Sequence, residues 1–162
     1  MIYFDSGALP KLVKPEKESQ ALREWRVAQP TDSELVSSQL ARLEISRTLL
    51  RAGVDHQRVP YVVGQAVRGL FLVDVTSTVL TRARSDGIQR LGSLDVIHLA
   101  TADPFLTEVT GFVTCDAELA AAATEWVSRW WRRPDRDRSS SLGSLVGRVG
   151  RRTMVMKCSL CA

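Results

Sequence analysis

Cysteine is scarce in this sequence, and long apolar runs are missing altogether. The three cysteines, Cys115, Cys158 and Cys161, are too few for a disulfide framework and are typical of a protein from a reducing cytoplasm. No run of about 18 apolar residues occurs, and the amino terminus lacks a basic segment followed by an apolar one. The sequence therefore predicts neither a membrane span nor a secretory signal, and we expect a cytoplasmic protein.

Charge is distributed unevenly, although the overall composition is that of a globular protein. The 162 residues are 44% hydrophobic and 25% charged, which suffices for one packed domain. Residues 125–162 hold nine Lys/Arg and three Asp/Glu, whereas the preceding residues are mildly acidic. We therefore expect a folded body over residues 1–126 and a basic tail over residues 127–162. The tail is too polar and too rich in Ser and Gly to form a core of its own, so we expect it to be flexible.

Strand-like and helix-like segments alternate along the body of the chain. Short apolar or β-branched runs predict four strands, at residues 2–5, 34–38, 70–75 and 112–114. Periodicity or propensity predicts helices at residues 16–28, 39–52, 56–69, 76–84, 94–102 and 117–126. In the second of these helices Leu40, Leu43, Leu49 and Leu50 mark the apolar stripe, and Ser93 is the expected N-cap of the fifth. This alternation predicts an α/β fold with a parallel sheet covered by helices on both faces.

Four acidic residues stand where the predicted sheet would bring them towards one edge. Asp5 and Asp116 follow the first and fourth strands, Asp95 lies in the first turn of a helix, and Glu44 lies within another. Ligands of open parallel sheets bind outside the carboxyl ends of the strands. Carboxylates that meet there repel each other, and a hard divalent cation such as Mg²⁺ or Mn²⁺ relieves the repulsion. Two such ions about 3.5–4 Å apart can activate water and stabilise the leaving oxygen of a phosphodiester.

Each of these acids also has a purely structural interpretation. Asp5 could form the turn that follows the first strand, and Asp116 is a suitable N-cap for the next helix. Asp95 would interact favourably with the helix dipole, and Glu44 could pair with Arg47 on a solvated face. Taken singly, none of the four acids identifies a site.

Their order and surroundings are more specific. The segments "MIYFDSGALPKLV", "LARLEISRTLLRAG", "LGSLDVIHLATA" and "GFVTCDAELAAAA" follow one another along the chain. Each contains one of the four acids in a distinctive context. In this combination the chain resembles the PIN-domain ribonucleases, most closely the VapC toxins of bacterial toxin–antitoxin pairs.

The resemblance implies a function and a site. It implies a PIN-like three-layer α/β/α fold and a toxin that hydrolyses RNA with Mg²⁺, or with Mn²⁺ as a substitute, through metal-activated water. It implies metal-binding and catalytic acids supported by two hydroxyl residues: Asp5, Glu44, Asp95 and Asp116, with Ser6 and Thr114 as the supports. It also implies a homodimer and a small VapB-like antitoxin as partner.

Two departures from the family pattern leave an alternative function open. Gly7 stands where a second hydroxyl residue is usual, and "VSRWWRRPDRDRSSS" stands where a fifth strand is usual. Pro134 and the charges around it make a buried strand improbable there, so we expect four strands and an uncovered fourth strand. The alternative is a degenerate PIN domain that binds antitoxin or RNA without cutting. A phosphatase of the haloacid dehalogenase type is disfavoured, because its second Asp would fall at Gly7.

Two further features are expected to be structural or accidental. His98 falls on one helix face with Leu94 and Ile97, which indicates a buried, satisfied histidine rather than a general base. The "CSLC" segment at residues 158–161 has the spacing of half a zinc site, but no second Cys/His pair accompanies it. We therefore assign neither feature to the site.

Overall fold

Five short strands form one parallel sheet in the computed structural model, which describes residues 1–13, 19–131 and 154–157. The strand order across the sheet is β3-β2-β1-β4-β5, and every neighbouring pair is parallel. The strands are β1 (Ile2–Phe4), β2 (Leu35–Ser38), β3 (Phe71–Val73), β4 (Gly111–Thr114) and β5 (Met154–Lys157). Because β1 and β4 are adjacent, the residues that follow them emerge side by side at one edge of the sheet.

Helices connect the strands and cover both faces of the sheet. They are α1 (Pro10–Val13), α2 (Ser19–Val27), α3 (Leu40–Arg51), α4 (Val59–Ala66), α5 (Ser77–Arg84), α6 (Ser93–Ala102) and α7 (Ala117–Trp131). Ile2 and Phe4 of β1 pack into a core with α2, α3 and α4, whereas Tyr3 packs into a second core with α6 and α7. Alternate side chains of β1 thus pack into two different cores, because successive side chains of a strand point to opposite faces of the sheet. This arrangement confirms the predicted three-layer α/β/α fold.

The sheet has one strand more than the sequence predicted. β5 pairs with β4 along its length, with Val155 opposite Phe112, so the expectation of an uncovered fourth strand was wrong. The prediction considered only the segment directly after residue 126. A later, apolar and partly β-branched segment occupies the edge position instead.

The boundary between body and tail remains a prediction. Helix α7 continues beyond residue 126 to Trp131, and residues 154–157 belong to the sheet. The other predicted tail residues, including the "CSLC" segment, lie outside the described ranges. Within those ranges, no helix has the length and apolar character needed to cross a bilayer.

The end of α3 and the start of α6 lie close to the positions predicted from the sequence. Gly53, with φ of 77°, follows the end of α3 in the left-handed conformation that glycine adopts without strain. Helix α6 is preceded by Gly92 as its N-cap, and no side chain caps it there. Ser93 is therefore the first helical residue and not the cap that the sequence suggested.

Candidate functional site

Asp5 is held in a fixed orientation at the carboxyl end of β1. The residue is 5% exposed, and its backbone N–H donates to the carbonyl oxygen of Val113 over 2.9 Å. Its Oδ2 accepts hydrogen bonds from the Thr114 hydroxyl at 3.0 Å and from the Gly7 backbone N–H at 3.2 Å. Its Oδ1 lies 3.4 Å from the Ser6 hydroxyl, which donates to it. Both hydroxyl residues that were expected to support the site therefore contact this carboxylate.

Asp116 is linked to Asp5 through Thr114. The Thr114 oxygen that donates to Asp5 also accepts a hydrogen bond from the backbone N–H of Asp116 over 3.0 Å. The Asp116 carboxylate itself accepts from the backbone N–H of Leu119 over 2.8 Å and so caps the start of α7. Asp116 thus has the structural role considered for it, and it is also exposed at the same edge of the sheet as Asp5.

Glu44 reaches the site through His98 of α6. The Glu44 Oε2 and His98 Nε2 atoms are 2.8 Å apart, and the same nitrogen lies 3.5 Å from Asp5 Oδ1. The other ring nitrogen, Nδ1, is 3.0 Å from the Tyr3 hydroxyl. His98 is fully buried and both ring nitrogens have partners, which confirms the prediction of a satisfied histidine.

Asp95 lies close enough to the other acids for their negative charges to change the pKa of its carboxyl. Burial raises the pKa of its carboxyl, and the negative charges of Asp116, Asp5 and Glu44 raise it further, while His98 lowers it. Four carboxylates from four parts of the chain therefore share one electrostatic environment. Among the described residues, however, no three His, Cys, Asp or Glu side chains converge tightly enough to form a metal site as they stand.

The chemistry of this donor set fits a hard divalent cation. The predicted ligands are all carboxylates, and the negative charges of Asp116, Asp5 and Glu44 add to burial in raising the pKa of Asp95, so the acids repel one another. Mg²⁺ prefers oxygen ligands and keeps several waters, so it can be held by only one or two carboxylates. Strict convergence of three side chains is therefore not a requirement for this ion.

The sequence prediction missed Tyr3 as part of this cluster. Tyr3 precedes Asp5 by two residues and so lies on the same side of β1, and His98 follows Asp95 by three residues on α6. These two spacings were available in the sequence. What the sequence did not reveal was that Glu44 of a distant helix would meet the same ring, because that contact depends on how α3 packs against α6.

Comparison with known proteins identifies the class of protein that this fold and site define. The sequence matches the PIN domain family over residues 2–125. The chain therefore belongs to the PIN-domain family.

Individual relatives come from Mycobacterium tuberculosis. The chain is 38% identical over 128 residues to Ribonuclease VapC47 of strain CDC 1551 / Oshkosh, which covers 77% of this chain and 91% of the relative. It is 37% identical over 123 residues to Ribonuclease VapC46 of strain ATCC 25618 / H37Rv, covering 75% and 89%. It is 34% identical over 125 residues to Ribonuclease VapC35 of strain CDC 1551 / Oshkosh, covering 76% and 90%. No solved structure matches the chain significantly.

Proposed function

We propose that this chain is a VapC-type toxin, a ribonuclease that hydrolyses RNA phosphodiester bonds with a divalent cation, Mg²⁺ or in its place Mn²⁺. The observation that carries the proposal is the oriented carboxylate of Asp5 together with the raised pKa of Asp95. The charges of Asp116, Asp5 and Glu44 add to burial in raising that pKa, which supports a site shared by the four acids. Relatives that are named ribonucleases and matched over most of their length support the same activity.

Each site residue has a role in this proposal. Asp5 and Asp95 hold the cation most directly, and Glu44 and Asp116 complete its negative surroundings. A divalent cation, when bound, supplies the positive charge that activates water and stabilises the leaving oxygen of the phosphodiester. Thr114 and Ser6 keep the Asp5 carboxylate aimed at the open edge by donating to its two oxygens. Such outer hydrogen bonds fix the direction of a ligand's free lone pairs.

The proposal extends to partners and to location. We propose a cytoplasmic homodimer that is silenced by a small VapB-like antitoxin. An antitoxin that places a basic side chain among the four carboxylates would substitute one cation for another, which favours the charged form of each acid. The nuclease domain predicted over residues 1–126 would also include the end of α7 and the strand β5, and the remaining residues of 127–162 would form its basic tail. Light scattering of the purified chain tests the dimer, because a monomer would contradict it.

The test of the proposed activity is cleavage of total cellular RNA by the purified full chain. We expect cutting with Mg²⁺ or Mn²⁺, no cutting with EDTA, and no cutting by Asp95→Asn. That substitution removes one negative charge and leaves the size of the side chain almost unchanged. Circular dichroism of the variant checks that it is folded. Cleavage that survives EDTA, or full activity of folded Asp95→Asn, would contradict the metal-dependent mechanism.

One observation keeps a second candidate function in view, the degenerate domain that binds antitoxin or RNA without cutting. Gly7 supplies no hydroxyl to Asp5, although its backbone N–H donates to Oδ2 over 3.2 Å. The other argument for this candidate, an absent fifth strand, does not hold, because β5 pairs with β4. Calorimetric titration with Mg²⁺ separates the two functions. A folded chain that binds RNA but neither Mg²⁺ nor Mn²⁺ would favour the binding module.

A further inference from the structure

Helix α3 carries a row of charged side chains that begins at the cation-binding edge of the sheet. The backbone N–H of Leu40 donates to the Ser38 hydroxyl over 3.2 Å, so the helix starts at the carboxyl end of β2. Glu44, Arg47 and Arg51 follow at intervals of three and four residues and therefore lie along one side of α3. The helical rise places Arg51 about 10 Å beyond Glu44 along the axis. We call Arg47 and Arg51 the arginine row.

Both arginines of the row are exposed, and neither has a carboxylate partner in the part of the chain that the structure describes. The sequence allowed an ion pair between Glu44 and Arg47. The structure instead places Glu44 Oε2 2.8 Å from His98 Nε2. Arg51 lies in the last turn of α3, where the helix dipole favours a cation, but Arg47 lies outside that turn. Stabilisation of α3 therefore does not account for Arg47.

Two other arginines differ from the row because they hold parts of the fold together. Arg82 Nη2 lies 3.1 Å from Asp103 Oδ1, and Arg90 Nη2 lies 2.9 Å from Glu125 Oε2. Each of these ion pairs joins segments that are distant in the sequence. The arginine row makes no such link, so its two guanidinium groups are available to an anion from solution.

RNA needs positive charge near the cation-binding edge in order to approach it. Four ionised carboxylates exceed the charge of one divalent cation, so a phosphate meets net repulsion at the edge itself. Exposed cations beside such a site attract the RNA backbone and raise its local concentration. A guanidinium also offers two parallel N–H donors to phosphate oxygens, so it orients the strand as well as attracting it.

We propose that the arginine row binds RNA phosphates beside the scissile bond and guides the strand from the cation-binding edge along α3. The proposal rests on the proposed function, because it names the path by which RNA reaches that site. Arg47 and Arg51 are substrate-binding residues in this account. Phosphate contacts carry no sequence information, so the row contributes affinity and orientation to every RNA sequence alike.

Replacement of single arginines by glutamine tests the row with a matched control. Arg47→Gln and Arg51→Gln each remove one positive charge and keep a polar side chain. Arg68→Gln removes the same charge elsewhere: Arg68 is exposed and lies between α4 and the start of β3, at the opposite edge of the sheet. Arg47→Lys keeps the charge but loses the fork of donors. Circular dichroism checks that each variant is folded.

The experiment measures binding of a fluorescent single-stranded RNA to the metal-free full chain by anisotropy, over a range of salt concentrations. EDTA prevents metal-dependent cleavage during the measurement. We expect Arg47→Gln and Arg51→Gln each to weaken binding about 3–10-fold at low salt and to reduce the slope of log K against log salt by about 0.7. The double variant should lose about 1.4 from the slope. Arg68→Gln should equal the wild type, and Arg47→Lys should keep the slope.

Three results of this experiment would overturn the proposal. The first is a double variant with the affinity and the slope of the wild type. The second is an equal loss in Arg68→Gln, which would show that only the net charge of the protein matters. The third is a wild type that binds no RNA at low salt.

RNA cleavage and Mn²⁺ binding provide further readouts. For the double variant we expect KM to rise while kcat is unchanged, because the row holds the strand and does not touch the reacting atoms. Calorimetric titration should show Mn²⁺ affinity equal to that of the wild type or slightly higher, since two nearby positive charges are removed. Weaker Mn²⁺ binding would show that the substitutions disturb the cation site and would contradict a role in RNA binding alone.

Polyglutamate tests whether the row binds an acidic protein instead of RNA. Polyglutamate binding that is lost in the double variant, with RNA binding unchanged, would assign the row to an acidic protein and overturn the proposal. The proposed activity and the row can also fail separately. A wild type that binds RNA without cleaving it would remove the activity, and loss of that binding in the double variant would still support the row.

Discussion

The Thr114 hydroxyl donates to Asp5 Oδ2 over 3.0 Å and so joins the ends of two neighbouring strands. The same oxygen accepts the backbone N–H of Asp116. One fully buried side chain therefore sets the direction of one acid and the backbone position of another. Since β1 and β4 are adjacent and in register, the contact follows directly from the strand order.

Replacement of Thr114 tests how much this link matters. We expect Thr114→Val to weaken Mn²⁺ binding and RNA cleavage by about 10–100-fold, because the Asp5 carboxylate loses its closest orienting donor. Valine has nearly the same shape, so the fold should persist. Thr114→Ser keeps the hydroxyl and is the control, for which we expect less than about threefold loss. Equal activity of the valine and serine variants would show that the hydrogen bond does not orient Asp5.

The raised pKa of Asp95 predicts that this residue destabilises the metal-free protein. When the pKa of a carboxyl is higher in the folded state than in the unfolded state, its ionisation lowers the stability of the folded protein. Its destabilising effect is therefore complete above its folded-state pKa and absent below its ordinary pKa of 3.8. We expect Asp95→Asn in EDTA at pH 7.5 to raise the melting temperature by about 1–2 °C, a small gain because the side chain is only partly buried.

The same variant should lose the stabilisation that a bound cation provides. A ligand that binds only the folded state raises the melting temperature in proportion to the logarithm of its concentration over Kd. Excess Mn²⁺ should therefore stabilise the wild type more than Asp95→Asn and reverse their order. A variant that is less stable than the wild type in EDTA would contradict the repulsion among the four acids.

Gly92 lies against the Asp95 carboxylate, and a side chain there would displace it. A Cβ built on Gly92 would stand 3.1 Å from Asp95 Oδ2, tighter than most such contacts. We expect Gly92→Ala to weaken Mn²⁺ binding with little loss of fold, because its φ of −66° suits alanine.

Gly64→Ala is the matched control for this substitution. Gly64 lies on α4, and its Cβ would meet nothing within 4 Å. Alanine there should stabilise the helix by about 0.5–1 kcal/mol and leave Mn²⁺ binding unchanged. Equal Mn²⁺ affinity of both alanine variants would show that the space beside Asp95 is not needed.

The fifth strand can be tested in the full chain by Val155→Pro. Proline has no backbone N–H to donate to a neighbouring strand. The neighbour of β5 is β4, the strand that carries Thr114. We expect a loss of about 1–2 kcal/mol in the free energy of unfolding, measured by urea denaturation. Val155→Thr retains strand propensity and should be nearly neutral. A proline variant as stable as the threonine variant would show that β5 adds nothing to the sheet.

Much of the fold could be predicted from the sequence, because its periodicity is strong and local. The four strands of the body and the helices between them lie close to their predicted positions. The apolar stripe of α3 was less predictable. Leu43 was expected in it but is 58% exposed, whereas Ala41 and Ile45 are buried. Four leucines in one helix leave several possible stripes, and the choice among them depends on the neighbouring α4 and β-sheet.

Parts of the site could likewise be predicted from the sequence, whereas other parts depend on how distant segments pack together. The resemblance to PIN-domain ribonucleases implied that Thr114 supports the acids, and the adjacency of β1 and β4 brings its hydroxyl to Asp5. The buried face of α6 could not be predicted from the sequence. Leu94 was expected on the same face as the buried His98, but it is 47% exposed. Likewise, β5 comes from a segment far beyond α7, and no local pattern after residue 126 indicates which later segment will reach the edge.

The most direct test of the central claim is calorimetric titration of the full chain with Mn²⁺, comparing the wild type with Asp5→Asn. Asp5 is the best-oriented acid of the site, and asparagine keeps its shape while removing its charge. We predict that the wild type binds Mn²⁺ and that folded Asp5→Asn binds at least about tenfold more weakly. Equal affinity in the two proteins would contradict the claim that the acid at the end of β1 holds a cation.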